Sequence, residues 1–566
     1  MSVSRLVHSV ALIAGSSAVP LKLIDCSLSM DEGTSPYTRA SIRIARPSMS
    51  VLAQLDPALK PRLRVTAGPT TWTLYVTARQ VDTQTGDVSM NIESPEAFLF
   101  DYAPTETIDL RSSQSTLTQV RQVLQRVFGT TPVIANGAAN VSLPTYSAKK
   151  NLVTIPSMEV DWTDAGWLPV NVGVSRVTTW RQSGTYSLQV TAANSNTDSR
   201  AEIGLSLSAG TTYTASGYIR QGTAASGTSI GLGRARGMSI VTSDGASSRV
   251  LAVSNQAPQT ANNVTRVSTT FTIPVGTQST TLRLYHGHAS GSAPVFWDSI
   301  MVTEGNGLDT NGSTLAYFDG STPVDGYSMA WDGTAHLSTS SRTPLIERPE
   351  ELYLWEAGVT AWAYLTPIMQ AARTRLYNPG FGLWQLTTTE LLTSTRVVRL
   401  AAGVNLYSYN DLLSRTATAA DGMPLFADAV IVNYTWKDQQ GVEQKRSDIA
   451  APSGYQRPYV LERLDTTYPG PGTAAYILQR LQARRQQVNS SGAPDYEAQP
   501  SQLVAISSPT GELLTGIIHA VTYDLARGVM SLITKGLIVA PANSVGKAPS
   551  TQTIGSVASS IGAYTN

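Results

Sequence analysis

The chain has 566 residues, of which only 14% are charged, with a net charge of +1 and a single cysteine, Cys26. That length calls for several domains, and one cysteine excludes intrachain disulfides and cysteine-rich zinc sites. The near-neutral balance leaves no broad field to gather a polyanion, which argues against specific nucleic-acid binding. Ser, Thr, Gly, Ala and Asn stand where charges usually stand, in runs such as 223–229 and 338–341. This texture suits exposed β-structure, where Thr and Val fit the pleat and Gly makes the turns. No apolar run approaches the ~20 residues of a membrane-spanning helix.

Arg5 precedes an apolar stretch at 7–14, but His8 and Ser9 interrupt it and no small-x-small site follows, so it reads as strand rather than secretory leader. Further strands are expected at 20–30, 39–45, 62–67, 72–81 and 86–93, the last two joined by a polar link of hairpin length. Residues 112–128 change period: Leu117, Val120, Leu124, Val127 and Phe128 share one helical face, Ser113 or Ser115 caps it, and Gly129 ends it. Residues 1–145 are therefore expected to be a β-rich domain with one helix.

From Asn151 short alternating runs separated by Gly, Asn and Ser take over. Strands are expected at 186–191, 203–207, 213–220, 229–232, 249–253, 266–273, 280–285 and 295–302, a spacing that suggests a two-sheet sandwich or jelly roll over 146–305. Residues 306–345 read as a Gly/Ser/Thr linker around Tyr317, Phe318, Tyr327 and Trp331. Residues 346–540 are mixed α+β. They hold one helix before Asn378-Pro379, strands at 429–436 and 517–523, and a helix at 474–488 with Ile477, Leu478, Leu481 and Val488 inward. A strand at 529–533 then returns on 517–523 as a hairpin. Residues 541–566, poor in charge and rich in Ser, Gly, Ala and Thr, read as a flexible tail, either disordered or ordered only against a neighbour. The expected class is mainly β with some α, in several domains.

Three stretches resemble known families. Asn151-Leu152-Val153-Thr154-Ile155-Pro156-Ser157-Met158-Glu159 is similar to the "NLxxNPSFE" opening of carbohydrate-binding modules of the family 4/9/22 type, with Ile155 and Met158 replacing the usual Asn and Phe. Ser183–Val190, Gly210–Tyr218 and Val295-Phe296-Trp297-Asp298-Ser299-Ile300 resemble later elements of that fold, in order. Second, Tyr317-Phe318-Asp319-Gly320 with Trp331-Asp332-Gly333-Thr334 resembles the "YFDG…WxGT" element that trails such modules in minor tail proteins of siphophages infecting actinobacteria. Third, residues 28–56 and 409–535 resemble parts of tail-tip hub proteins. Together the resemblances imply tail-hub-like β-domains split by an inserted jelly-roll β-sandwich. They further imply a homotrimeric ring at the tail tip of the virion, assembled in the host cytoplasm. Its partners would be distal tail, tape measure and tail fibre proteins, and host cell-wall glycan.

Sugars are held by aromatic rings on their apolar faces and by polar groups on their hydroxyls. Trp162, Trp167 and Trp180, with Arg220, are the candidate sugar contacts. The structural alternative is that a sandwich core also uses Trp and Tyr, and Tyr186, Tyr213 and Trp297 fall in fold-defining segments and read as core. The resemblance places a structural calcium between the first and last strands, at Glu159 and Asp298, against the plain alternative of two surface carboxylates. His286-Gly287-His288 lacks further ligands for zinc and reads as a strand end. Gly231–Gly237 lacks the spacing and helix of a phosphate loop. Arg480, Arg484 and Arg485 form a basic helical face that reads as solvated or subunit-facing. Neither HExxH nor GxSxG occurs and no compact acidic pair stands out, so a non-enzymatic protein is expected. The rival readings are an adsorption protein whose main task is glycan recognition, and a cell-wall glycosidase with an accessory module.

Overall fold

A computed structural model describes residues 8–130, 133–192, 198–222, 236–258, 260–287, 293–388, 396–412, 418, 422–424, 426–483 and 487–539. The described chain is mainly β with a few short helices. It divides into two compact units: 1–143 with 351–566, and 144–350.

The first unit is built on a 13-stranded sheet that uses strands from both ends of the sequence. Thr38–Ile44 shows why these segments are strands: Ala40, Ile42 and Ile44 are buried while Arg39, Ser41 and Arg43 are exposed, the period-two pattern of a half-buried sheet. The expected 20–30 strand is two, Ser17–Leu21 and Leu23–Asp31, which pair with different neighbours. Leu23–Asp31 pairs antiparallel with Leu513–Asp524, Ser27 opposite Asp524 and Asp31 opposite Ala520. Leu28, Met30, Ile42, Val504, Val521 and Leu532 accordingly share one core. Leu513–Asp524 and Val529–Val539 form the expected hairpin, longer at both ends than its sequence pattern.

Glu96 ties the two flanks a second time. It is fully buried, and its Oε1 accepts the Tyr37 N–H at 3.4 Å and the Asn378 N–H at 2.7 Å. The Thr116–Phe128 helix starts where Ser115 Oγ accepts the Thr118 N–H at 3.2 Å and stops at Gly129, whose φ of 68° suits glycine. Val120, Val123 and Leu124 pack with Trp355, Tyr364 and Leu365 in a second core, again from both flanks.

The Thr473–Ala483 helix covers the three-stranded sheet centred on Ala429–Lys437, with Ile477, Leu478 and Leu481 buried beside Val430, Val432 and Trp436. Val488 corrects the expected helix end. It is buried in the Gln487–Gly492 strand opposite Asp411, because ladder pairing and the large core outweigh a helical spacing that still fitted it. Arg484 and Arg485 lie outside the described residues.

The second unit contains two five-stranded antiparallel sheets. One runs Leu168–Val170, Arg200–Leu205, Ser279–Tyr285, Met238–Ser243, Ser248–Val253; the other runs Val172–Val177, Ser187–Ala192, Val295–Glu304, Thr212–Gln221, Val264–Thr272. Ile203, Ile240 and Leu282 of the first share a core with Leu188, Ile219 and Trp297 of the second, which makes the pair a sandwich. Met238–Ser243 and Val172–Val177 are strands that sequence alternation did not reveal, and the expected strand at 229–232 lies outside the described residues. The stretch expected as a linker is folded into this unit. Tyr327–Trp331 and Ser340–Pro344 pair, and the latter also pairs with Lys149–Asn151. Met301, Leu315 and Phe318 form a small core of their own.

Candidate functional site

The opening motif of the sandwich works as a set of staples. The Asn151 side chain donates to the carbonyls of Ile300 (3.1 Å) and Phe318 (3.3 Å) and accepts the N–H groups of Val153 (3.2 Å) and Val302 (3.1 Å). It thereby joins the first strand, the last strand and the trailing element. Ile155 and Met158, the two departures from the family pattern, have φ of 48° and 57° and are buried in the core. Side-chain burial holds the left-handed backbone at both, which at 155 the Asn of the family pattern adopts with less strain.

The structure brings Glu159 and Asp298 together around one loop. Asp298 is completely buried; its Oδ2 accepts the Gln182 and Ser183 N–H groups at 2.6 and 2.9 Å, and its Oδ1 accepts that of Ser299 at 2.6 Å. Glu159 Oε1 accepts the Thr185 and Tyr186 N–H groups at 2.6 and 2.9 Å. Gly184 sits between them at φ 64°, where a Cβ would come within 2.2 Å of Glu159 Oε1. Burial, and in smaller part the charge of Glu159, pushes the Asp298 carboxyl up to about 7 against the pull of its three amides. Two hard-oxygen donors of like charge fit calcium in kind and charge. The remaining ligands would be carbonyls and water, since no cluster of three acidic, His or Cys side chains able to hold a metal occurs among the described residues.

The four candidate sugar contacts are placed on different elements. Trp167 is 1% exposed, a core residue whose indole N–H donates to the Thr154 carbonyl at 3.3 Å, so its ring offers no face to a sugar. Its segment reads as a polar loop, but the short Trp162–Ala165 turn folds Trp167 under the sandwich. Trp162 packs partly buried against the same core. Trp180 is half-buried in the loop before Ser187–Ala192, its carbonyl accepting Ser187 Oγ at 2.5 Å. Arg220 lies 5.7 Å from the Phe296 ring and donates to Asn262 Oδ1 at 2.5 Å. Trp162, Trp180 and Arg220 are the three that keep a partly exposed polar or aromatic edge.

A polar row that sequence reasoning missed crosses the face of the first sheet that points away from the sandwich core. Leu168, Glu202, Arg283 and Ser239 stand opposite one another on neighbouring strands, with Arg200 beside them. Glu202 Oε2 receives Arg200 Nε at 2.7 Å and Arg283 Nε at 3.0 Å, with the side chains 9–21% exposed. Strand parity places these residues opposite the buried Ile203, Leu282 and Ile240, a signal available only once the register is known. Planar charged side chains fixed by one another are the groups that bind hydroxyls.

The trailing aromatic motif has a local structural explanation. Asp319 Oδ1 accepts the N–H groups of Ser321 and Thr322 at 2.8 and 2.9 Å, while Oδ2 accepts the Tyr317 hydroxyl at 2.8 Å. A Cβ on Gly320 would meet the Trp331 ring at 2.5 Å, so glycine is required beneath that indole. His286 is buried with Nε2 3.0 Å from the Ala293 carbonyl oxygen, and His288 lies outside the described residues. The Gly231–Gly237 run also falls largely outside the described residues. Cys26 is buried, its thiol pushed up to about 12 by burial and by Asp25 and Asp524, and is no nucleophile. Among the described residues no helix is long and apolar enough to cross a membrane.

The fold and site describe a multidomain β protein with a sandwich module set into a split scaffold. No protein-family model matches the chain. No curated protein matches it. Among solved structures it is similar to a tail protein from Neisseria meningitidis MC58, at 8% identity and TM-score 0.40, over 93% of this chain and 96% of that one. It is also similar to the 43 kDa tail protein of prophage MuSo2 from Shewanella oneidensis, at 9% identity and TM-score 0.37, over 93% and 98%. A 28% share of the chain is similar to the CBM22-1 xylan-binding domain of Paenibacillus barcinonensis Xyn10C, at 17% identity and TM-score 0.22, covering 97% of that domain.

Proposed function

We propose that this chain is a structural, non-enzymatic component of a bacteriophage tail tip. In this reading it is a hub or minor tail protein whose scaffold assembles as a homotrimer with neighbouring tail proteins, and whose sandwich contacts host cell-wall glycan. The observation that carries the reading is the insertion. Strands from both flanks pair in one sheet, and Glu96 bonds both flanks, while residues 144–350 fold as a unit of their own. A scaffold so organised keeps its assembling surface while its guest is free to specialise. The "YFDG…WxGT" and "NLxxNPSFE" resemblances support the tail setting and the guest's class. The mechanism is mechanical: extended β-surfaces pack with copies and neighbours around the channel through which DNA leaves.

Light scattering on the full chain tests assembly: a trimer is expected. A monomer that antibodies also fail to detect at virion tail tips would overturn the proposal. A cell-wall glycan array tests the sandwich, with binding expected to fall about tenfold or more in Trp180→Ala or Arg220→Ala. Retained binding in both, but loss in Glu202→Gln, would move the contact to the polar row. Glu159 and Asp298 are committed to backbone amides and Glu202 to arginines, which supports the non-enzymatic reading. Polysaccharide turnover abolished by one carboxylate substitution would refute it. A structural calcium at Glu159 and Asp298 belongs to the same proposal, as the cation that would balance that pair.

A further inference from the structure

The first unit holds a cleft of about 740 Å³ that the reading above does not use. This volume is typical of ligand clefts, ~300–1,000 Å³. Its walls are the Ala361–Ala371 helix and Thr374–Tyr377 strand on one side, and the Pro458–Arg463 strand and Thr473–Ala483 helix on the other. Four arginines line it: Arg39, Arg375, Arg463 and Arg480. The carboxylate among the lining residues, Glu32, is bonded to partners other than the arginines, although the Arg375 charge also acts on it. It is 5% exposed and bonds Lys535, His519 Nδ1 at 2.9 Å and Ser501 Oγ at 3.0 Å, so its charge is matched inside the protein.

Arg39 pairs with Glu93 at 3.6 Å, whereas Arg375 and Arg480 lie against tyrosines. The Arg375 guanidinium lies 5.1 Å from the Tyr37 ring centroid and 5.0 Å from that of Tyr377. Arg480 Nη1 donates to the Tyr476 hydroxyl at 2.9 Å. Among the described residues neither Arg375 nor Arg463 has a carboxylate within ion-pair distance. Two buried arginines of the other unit do: Arg342 sits 2.6 Å from Asp309, and Arg200 2.7 Å from Glu202. Stacking fixes the guanidinium plane and leaves its N–H edges for a planar anion. Phe100, 37% exposed, and Trp362, 5.0 Å from it between ring centroids, also line the cleft as an apolar pair.

We infer that this cleft takes an acidic segment of a protein partner, with carboxylates on Arg375 and Arg463 and an apolar side chain against Phe100 and Trp362. The guanidinium fork matches a carboxylate in two hydrogen bonds. A nucleic-acid strand would instead call for cations spaced along a track, and these converge in one cleft of a chain with net charge +1. The site is independent of the glycan reading, which rests on the other unit.

A yeast-displayed library of random twelve-residue peptides is selected on the full chain, and the winners are remeasured by fluorescence anisotropy. The expected result is enrichment of Glu or Asp beside an aromatic or aliphatic residue. Binding should fall at least tenfold in the Arg375→Gln/Arg463→Gln variant and survive in Arg463→Lys. The Arg463→Gln single variant, with an unchanged unfolding midpoint, covers the case in which the double variant fails to fold. Winners without acidic enrichment, or with unchanged affinity in both Gln variants, overturn the inference. So does an oligothymidylate that competes for the same arginines at equal affinity, which would assign the cleft to single-stranded nucleic acid.

Discussion

Replacing Glu96 by Gln should make the split scaffold more stable at neutral pH and leave it unchanged in acid. The Glu96 carboxyl is raised from 4.5 to about 6, first by burial, against the hydrogen bonds from Ser94, Asn378, its own N–H and Tyr37. Its Oε2 is buried with no partner among the described residues. A carboxyl whose folded value is raised binds its proton more tightly in the native state, so the stability it contributes is present below pH 4.5. That stability is lost as pH rises through about 6. The difference of about 1.5 units corresponds to about 2 kcal/mol, at about 1.4 kcal/mol per unit. Gln has the shape of the protonated acid and keeps an oxygen for the Asn378 N–H without the buried charge. The assay is hydrogen exchange at the Asn378 amide, Glu96→Gln against the parent at the same pH, so that the intrinsic exchange rate cancels. Protection should be equal near pH 4 and up to ~30-fold greater in the variant at pH 7.5. A variant-to-parent ratio that is flat with pH would refute the reasoning, because it would mean that the buried carboxylate is not the group that titrates. Glu96→Ala is the control: it leaves two buried N–H groups without an acceptor and should lose about 1–3 kcal/mol at every pH.

Gly184→Ala should lower the unfolding free energy of the sandwich by about 2 kcal/mol, from the left-handed backbone and the displaced Glu159 carboxylate; calorimetry of the full chain reads this, and an unchanged transition would sink the account of the loop. If calcium balances Glu159 and Asp298, a chelator should lower that same transition in the parent but not in Glu159→Gln, and equal behaviour of the two proteins would remove the ion from the site. Asn151→Ala removes all four side-chain hydrogen bonds that join the first and last strands and the trailing element. It should cost about 3 kcal/mol or more, read as early loss of protection at Val153 and Val302; protection that survives would make Asn151 dispensable.

What could be read from the sequence was whatever the chain writes locally. The cap at Ser115, the stop at Gly129 and the alternation of 39–45 or 62–67 each lie within one turn or one strand, and the elements formed where the pattern put them. The motif opening at Asn151 marked the sandwich because a side chain that satisfies four backbone groups at once leaves a fixed residue in a fixed place. Illegible parts were those decided by partners far away in the chain. Val488 satisfied a helical spacing and became a strand because the strand at 406–412 offered a ladder. Met238–Ser243 is buried on both faces, so alternation, the only signal of a strand with one wet side, was never there to find. Trp167 looked exposed because its neighbours Asp161, Asp164 and Gly166 are polar or small, yet one 3-10 turn was enough to roll it inward. The same logic explains why the Glu202–Arg283 row and the arginine cleft stayed hidden. The row is assembled from residues on neighbouring strands whose common property is register, and the cleft from helices and strands of separate sheets; both are set by pairing and packing across the fold rather than by neighbours in the chain. A functional surface in a β-scaffold of this kind is therefore found by following rows across strands, and the rows to test first are those whose charges are held in place yet not neutralised.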